Sequence, residues 1–299
     1  MTPRARISAK ISSVLSILLL SAPLAYAQDP FQDAVKGVSA DHITGYLQPF
    51  VNAVGANLNS GFYSSASIGD AGLFVRVGVV GMGMLIGDGD KVYNARPPQP
   101  YAQQDVQTAT VFGGVGATVR GPGGISYQFQ SGEVKTSIVP IGVPQITVGN
   151  IFGTQAVIRY IPLPSIGDFP KTTLFGAGLR HSISRYIPEF PVDIAAGIGY
   201  NKVTVGDIID AHTLNIGAQA SKSFSVATLY GGLQYESSSL TVDYAYSGSG
   251  GGNVHLDIDG ENKFRVTGGL GLDLVFFHLN GDINIGKVTV VSAGIGFGL

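Results

Sequence analysis

The residues best placed to do chemistry are charged ones that recur at strand-like spacing in a chain otherwise poor in charge. The cations are Arg76, Arg159, Arg180 and Arg265; the anions are Asp193, Asp243, Asp257, Asp273 and Asp282. Each alternates with apolar neighbours, as Arg76 does between Val75 and Val77. In a strand such alternation sends charged and apolar side chains to opposite faces. A shared face carrying both signs can do one of two things. Paired across a narrow interior, the charges form a structural polar core; spaced around a wide one, they line a water-filled passage and set its selectivity.

Catalysis has little to build on. The five histidines are His42, His181, His212, His255 and His278. Ser182 adjoins His181, but neighbouring strand residues point to opposite faces, so the two cannot act as nucleophile and base. There is no Gly-x-Ser-x-Gly elbow. No spacing of His, Asp and Glu suggests a metal site, and with no cysteine a thiolate site is excluded. No catalytic, cofactor-binding or metal-binding residue is expected. A net charge of −2 gives no electrostatic reason to expect nucleic acid as a partner.

The elements that must carry these residues begin with an export signal. Arg4, Arg6 and Lys10 precede a short apolar run from Ile11 to Leu20, and Ala25-Tyr26-Ala27 is a small-x-small cleavage site, so the mature chain is expected to start at Gln28. The apolar run is well below the roughly 20 residues of a spanning helix. An exported chain without cysteine must be held by backbone ladders and burial. Charged residues make up 13%, about half the globular average. Glycine, at 43 of 299, is about twice the usual share. Strands with one face in lipid would need few charges.

Residues 28–60 hold the one helical pattern: Ile43, Leu47, Phe50, Val51, Val54 and Leu58 recur at helical spacing, with Asp41 as a cap and Pro49 as a break or kink. This helix is expected at the periplasmic mouth of the domain that follows, with a plug inside that domain as the alternative. From Ala71 the period changes to two. Residues 107–119 read as a strand and 120–145 as a long loop holding a short strand at Ile125–Phe129. Regular alternation follows: Phe152 to Tyr160, Thr173 to Leu179, Val192 to Tyr200, Leu214 to Ala220, Leu229 to Tyr235, Leu240 to Tyr244, Phe264 to Leu274, Leu279 to Ile285 and Val291 to Leu299. The apolar parity shifts between Tyr235 and Leu240, which predicts a bulge or break at Glu236–Ser239.

Segments near ten residues suit tilted membrane strands, and long polar loops (162–170, 247–253) alternate with tight links near 223–227 and 275–277. The expected fold is all-β: residues 61–299 form a transmembrane antiparallel up-and-down β-barrel of about 12 strands, range 10–14, after a short helical segment. Tyr160, Tyr200, Tyr235 and Tyr244, near strand ends on the outward face, would be its aromatic girdle.

Ser292, Gly294, Phe297 and Leu299 resemble the C-terminal insertion signal of bacterial outer-membrane barrels, with Leu299 where Phe is usual. The resemblance implies recognition by the barrel assembly machinery. Three stretches carry a wider likeness: Gln155-Ala-Val-Ile-Arg-Tyr-Ile-Pro162, Gly176-Ala-Gly-Leu-Arg-His-Ser-Ile-Ser-Arg-Tyr-Ile-Pro188 and Val192-Asp-Ile-Ala-Ala-Gly-Ile-Gly-Tyr200. It continues through Ala218-Gln-Ala-Ser-Lys-Ser-Phe224 and Tyr230-Gly-Gly-Leu-Gln-Tyr-Glu-Ser237. Over residues 145–246 the chain resembles a family of outer-membrane barrels with no assigned function. It is more distantly similar to the long-chain fatty-acid transporter family, without a match to that family's ligand site. These resemblances imply contact with outer-membrane lipid. The expected function is a passive channel or transporter of small or hydrophobic compounds. The alternatives are a structural or anchoring barrel with a packed lumen and, third, a barrel hydrolase.

Overall fold

The computed structural model describes residues 40–69, 72–165, 170–187, 189–246 and 252–298. The export signal with Ala25 and Ala27, the stretch 28–39 and Leu299 lie outside them, as do the side chains of Asp41 and Tyr244. The elements run α1 (Ala40–Leu58), β1 (Phe74–Leu85), β2 (Val92–Ala95), β3 (Val106–Ala109), β4 (Thr118–Arg120), β5 (Ser126–Gln128) and β6 (Ile138–Ile151). They continue with β7 (Thr154–Leu163), β8 (Thr172–Ser182), β9 (Asp193–Val205), β10 (Ile209–Phe224), β11 (Ala227–Tyr246), β12 (Gly252–Asp259), β13 (Phe264–Leu274), β14 (Phe277–Ile285) and β15 (Thr289–Gly298).

The sheet closes on itself. β1, β6 to β11 and β13 to β15 pair antiparallel in chain order, and β15 returns to β1, making an up-and-down barrel of ten strands, within the expected range. Closure pairs each of these ten strands with a neighbour on both sides. β12 pairs with β11 beyond the point where β13 stops. The pairs Tyr235↔Phe264 and Ser239↔Asp259 leave residues 236–238 facing residues 260–263, one residue more. β12 is therefore the continuation of β13 across a bulge, and the irregularity expected near 236–239 sits on the partner strand.

The first half of the barrel departs from the sequence reading. Residues 107–119 form no barrel strand: β2 pairs with β3 and β4 with β5 as two small hairpins within the excursion between β1 and β6. The missing strand is β6, most of which was expected to be loop. Pro140 and Pro144 read as breakers, but β6 pairs with β7 only from Gln145 onward. Where the prolines lie, β6 has a ladder on one edge alone, and a strand tolerates a missing donor there.

One end of the barrel carries tight turns, at 152–153, 225–226 and 275–276; the other carries the 86–137 excursion. Val275 closes its turn with φ 54°, a left-handed conformation that is an outlier for a β-branched residue. Val275→Gly should raise stability by about 1 kcal/mol, read as a higher denaturant midpoint in detergent. A lower midpoint would show that the valine side chain contributes more than the strain costs.

The inner wall face changes character at one level, polar toward the turn end and apolar toward the loop end, and on β11 the outer face changes the opposite way. On β11 the inward residues run Thr228, Tyr230, Gln234, Glu236, Ser238, Leu240, Val242, while the outward ones run Leu229, Leu233, Tyr235, Ser237, Ser239, Thr241, Asp243. β1 repeats the inner change from Arg76 to Met82 and Met84, and β9 from Asn201 to Val203 and Val205.

Candidate functional site

The inner inversion fits what fills the lumen. α1 lies inside the barrel, not at its mouth as first expected, and runs unbroken through Pro49. Its apolar residues, among them Ile43, Leu47, Phe50, Val51, Val54 and Leu58, pack against Met82, Met84, Val143, Val203, Val205, Leu240, Val242 and Ile258 of the wall. A helix apolar on most sides is stable only when surrounded, and the apolar half of the lumen surrounds it. Two glycines permit the close fit: a Cβ at Gly45 would collide with the Tyr93 ring, and one at Gly55 with Ser238. The start of α1 is tied to the excursion, with the Tyr46 hydroxyl donating to Ser131 O (2.9 Å) and Val111 N–H to Tyr46 O (3.0 Å). Burial and the nearby Glu133 carboxylate raise the pKa of this phenol.

Below the helix the chain descends in extended form through the polar half, and the sequence-identified arginines hold it there. Arg159, wholly buried, donates to Leu58 O (2.9 Å), Ser60 O (2.8 Å) and Gln145 Oε1 (2.9 Å). Its guanidinium stacks 3.7 Å from the centre of the Phe62 ring. Arg265 donates to Ala56 O (2.7 Å) and Ser60 Oγ (2.5 Å), and forms an ion pair with Glu236 at 2.9 Å. Asn201 adds a second donor to Leu58 O at 3.0 Å. A helix C-terminus presents unpaired carbonyls and partial negative charge, so two guanidiniums there satisfy both needs. Arg180 holds the next stretch through Ser65 O (3.1 Å) and also contacts Gln155. Gln219 donates to Ser65 O (3.0 Å), and Ser221 Oγ accepts from Ala66 N–H (2.9 Å).

The remaining charges are distributed unevenly. Arg76 faces inward near the turn end and meets Asp273 at 3.4 Å; Asp273 also accepts from His278 at 2.6 Å. Asp282 is inward, hydrogen-bonded by Tyr230 (2.9 Å) and contacting Ser292 and Asn284. Asp193 is half-buried on β9 opposite Ser221. Asp243 and Asp257, expected in the lumen, point outward instead. They flank His255 on the β11–β12 extension at 2.5 and 3.3 Å. The hydrogen bond and charge of Asp243, with Asp257 beside it, raise the His255 pKa. The error has a physical origin: the apolar residues change face along β11 while the backbone keeps its alternation, so the parity rule put the outer aspartates inside.

The pairing partner that the sequence reading passed over is Glu236. Its signal was present, since it continues the inward row of Tyr230 and Gln234. Of the insertion-signal residues, Ser292 is inward and buried, Gly294 faces Asn280, and Phe297 is exposed on the outer face beside Phe277. Tyr160, Tyr200 and Tyr235 are exposed on the outer face. Among the described residues, no three His, Asp or Glu residues are grouped to hold a metal ion. The hydroxyls within 2.9 Å of His181 are those of Thr154 and Tyr186.

No curated protein matches the chain. Among solved structures it is similar to the toluene transporter TbuX of Ralstonia pickettii, at 9% identity and a TM-score of 0.26, covering 82% of this chain and 93% of that one. It is also similar to the translocator domain of the autotransporter NalP of Neisseria meningitidis, at 14% identity and a TM-score of 0.26, covering 83% and 92%. A third is OccK2 of Pseudomonas aeruginosa, at 11% identity and a TM-score of 0.18, covering 76% and 96%. A closed antiparallel barrel filled by its own preceding segment is what this sequence builds, and with a match over residues 8–299 the chain belongs to DUF6588, a family of unknown function.

Proposed function

We propose that this protein is an outer-membrane β-barrel whose lumen is closed at rest by its own N-terminal segment. Support for the membrane comes from the outer surface. Phe264, Val266, Leu270, Leu272 and Leu274 on β13, and Leu279, Ile283 and Ile285 on β14, are all exposed. Soluble surfaces seldom carry a continuous apolar area of that extent. β13 and β14 have 11 and 9 residues, the length a tilted strand needs to cross a bilayer. Tyr160, Tyr200 and Tyr235 bound this belt on the loop side, as interfacial aromatics do. Outward Ser237, Ser239, Thr241 and Asp243 lie beyond it in water. Phe297 on the closing strand supports insertion by the barrel assembly machinery.

The observation that carries the closed state is the convergence of Arg159, Arg265 and Asn201 on the end of α1. A barrel of ten strands is wider than one filled by wall side chains alone, and here a helix takes up the difference. Passage of small or hydrophobic compounds then requires the segment to move, so the channel reading becomes one of a gated conduit. The packed-lumen reading is the same structure without that movement.

Planar bilayers test the closed state. The full chain should give no conductance steps, and a variant lacking residues 40–58 should give them. A full chain that conducts as the shortened one does would overturn the proposal.

A further inference from the structure

Contacts at successive depths fix the direction in which the segment runs through the lumen. At the loop end, His42 Nε2 donates to Arg96 O of the excursion (2.5 Å), and Tyr46 is tied to Ser131. Lower down, Gln48 donates to Asp259 O (2.8 Å) at the end of β12. Leu58 O and Ser60 O then meet Arg159. Ala66 reaches Ser221 near the end of β10, and Gly69 N–H donates to Asn150 Oδ1 (2.9 Å) beside the turn that ends β6. The chain then reverses, and β1 climbs from Phe74 at the turn end to Leu85 at the loop end. Residues 40–85 are therefore a hairpin, with one limb in the lumen and the other in the wall.

The strands decide which end faces the cell exterior. Ten is an even number, so β1 starts and β15 finishes at the same end, where Arg76 pairs with Gly298. The tight turns at 152–153, 225–226 and 275–276 share that end, and the 86–137 excursion lies at the other. Outer-membrane barrels keep short turns on the periplasmic side and long loops outside. The chain thus enters α1 from the exterior and descends toward the periplasm. We propose that the barrel exports its own N-terminal segment and displays the start of α1 at the cell surface. The wall suits this passage: α1 is apolar on most sides, and the upper lumen it occupies is apolar too. Arg159 and Arg265 bind the carbonyls of Ala56, Leu58 and Ser60 only when the helix stands above them, so passage ends in a latched state. The inference rests on the outer-membrane reading above and adds the side on which the segment comes to rest.

With no cysteine in the chain, a single introduced thiol reports its own side of the membrane. Three variants of the full chain serve: Thr44→Cys at an exposed position near the start of α1, Gln104→Cys in the excursion and Val226→Cys in a tight turn. Gram-negative cells producing each are treated with a membrane-impermeant maleimide, before and after the outer membrane is permeabilised. Thr44→Cys and Gln104→Cys should label on intact cells as fully as in detergent, and Val226→Cys only after permeabilisation. Should Thr44→Cys fail to fold, an epitope placed directly ahead of Ala40 should bind antibody on intact cells. Labelling of Gln104→Cys on intact cells, with Thr44→Cys or the epitope reached only after permeabilisation, would overturn the inference and leave the outer-membrane reading standing. Labelling of none of the three on intact cells, or of Val226→Cys alone, would overturn both.

Discussion

Arg159→Ala is expected to lower the stability of the folded barrel by about 4 kcal/mol. The side chain is fully buried and makes three hydrogen bonds of 2.8–2.9 Å, two of them to main-chain carbonyls of the plugging segment. Hydrogen bonds to a charged group contribute roughly 1.5–3 kcal/mol each, and buried acceptors left without donors cost about 1–3 kcal/mol. Leu58 O keeps Asn201, but Ser60 O and Gln145 Oε1 lose the donor that Arg159 supplies, and Phe62 loses its stacked cation. The estimate therefore falls below the sum of the three bonds. Arg159→Lys keeps the charge without the planar fork, and should fall between the alanine variant and the wild type. Equilibrium unfolding in detergent micelles checks the series. A loss under about 1 kcal/mol for the alanine variant would mean that Arg159 does not hold the segment.

The second large effect concerns Glu236 and Arg265, both 1% exposed and 2.9 Å apart. Glu236→Ala should cost about 3–5 kcal/mol, because it leaves a buried guanidinium without its counter-charge. Glu236 also contacts Asn262, which loses its acceptor in the same variant. Arg265→Met should cost a comparable amount, since it strands the carboxylate and frees Ala56 O and Ser60 Oγ. The double variant removes both charges together, so its loss should be less than the sum of the singles by about 1–3 kcal/mol. A double-mutant cycle measured by denaturant unfolding decides it. Additivity within about 0.5 kcal/mol would show that the two residues act separately, each through its own bonds to the segment and the wall.

These two residues also show how far the sequence can be read. Arg265 was legible as an inward charge because β13 alternates cleanly between Phe264 and Leu274. Glu236 was passed over although it continues the inward row of Tyr230 and Gln234, since an apparent parity shift just beyond it suggested a break in β11. The structure keeps the parity and changes which face is apolar. Leu240 and Val242 look outward by analogy with Leu229 and Leu233, yet they pack on α1. The same analogy carried Asp243 and Asp257 into the lumen, when both stand outside it around His255.

What the sequence determined by itself was local. Period-two alternation over stretches of about ten residues in the second half of the chain dictated membrane-length strands, because side chains on a strand must alternate, and tight links alternating with long loops pointed to their up-and-down order. Helical spacing from Ile43 to Leu58 dictated the one helix. What only the tertiary structure decided was what each face meets. Two prolines on β6 are tolerated because its ladder with β7 begins only at Gln145, so the edge they face there is unpaired. The lumen is apolar at one end because a helix fills it and polar at the other because an extended chain, with unsatisfied carbonyls, passes through. Alternation sorts residues into two faces; only the closed barrel with its segment in place fixes what each face touches at each depth.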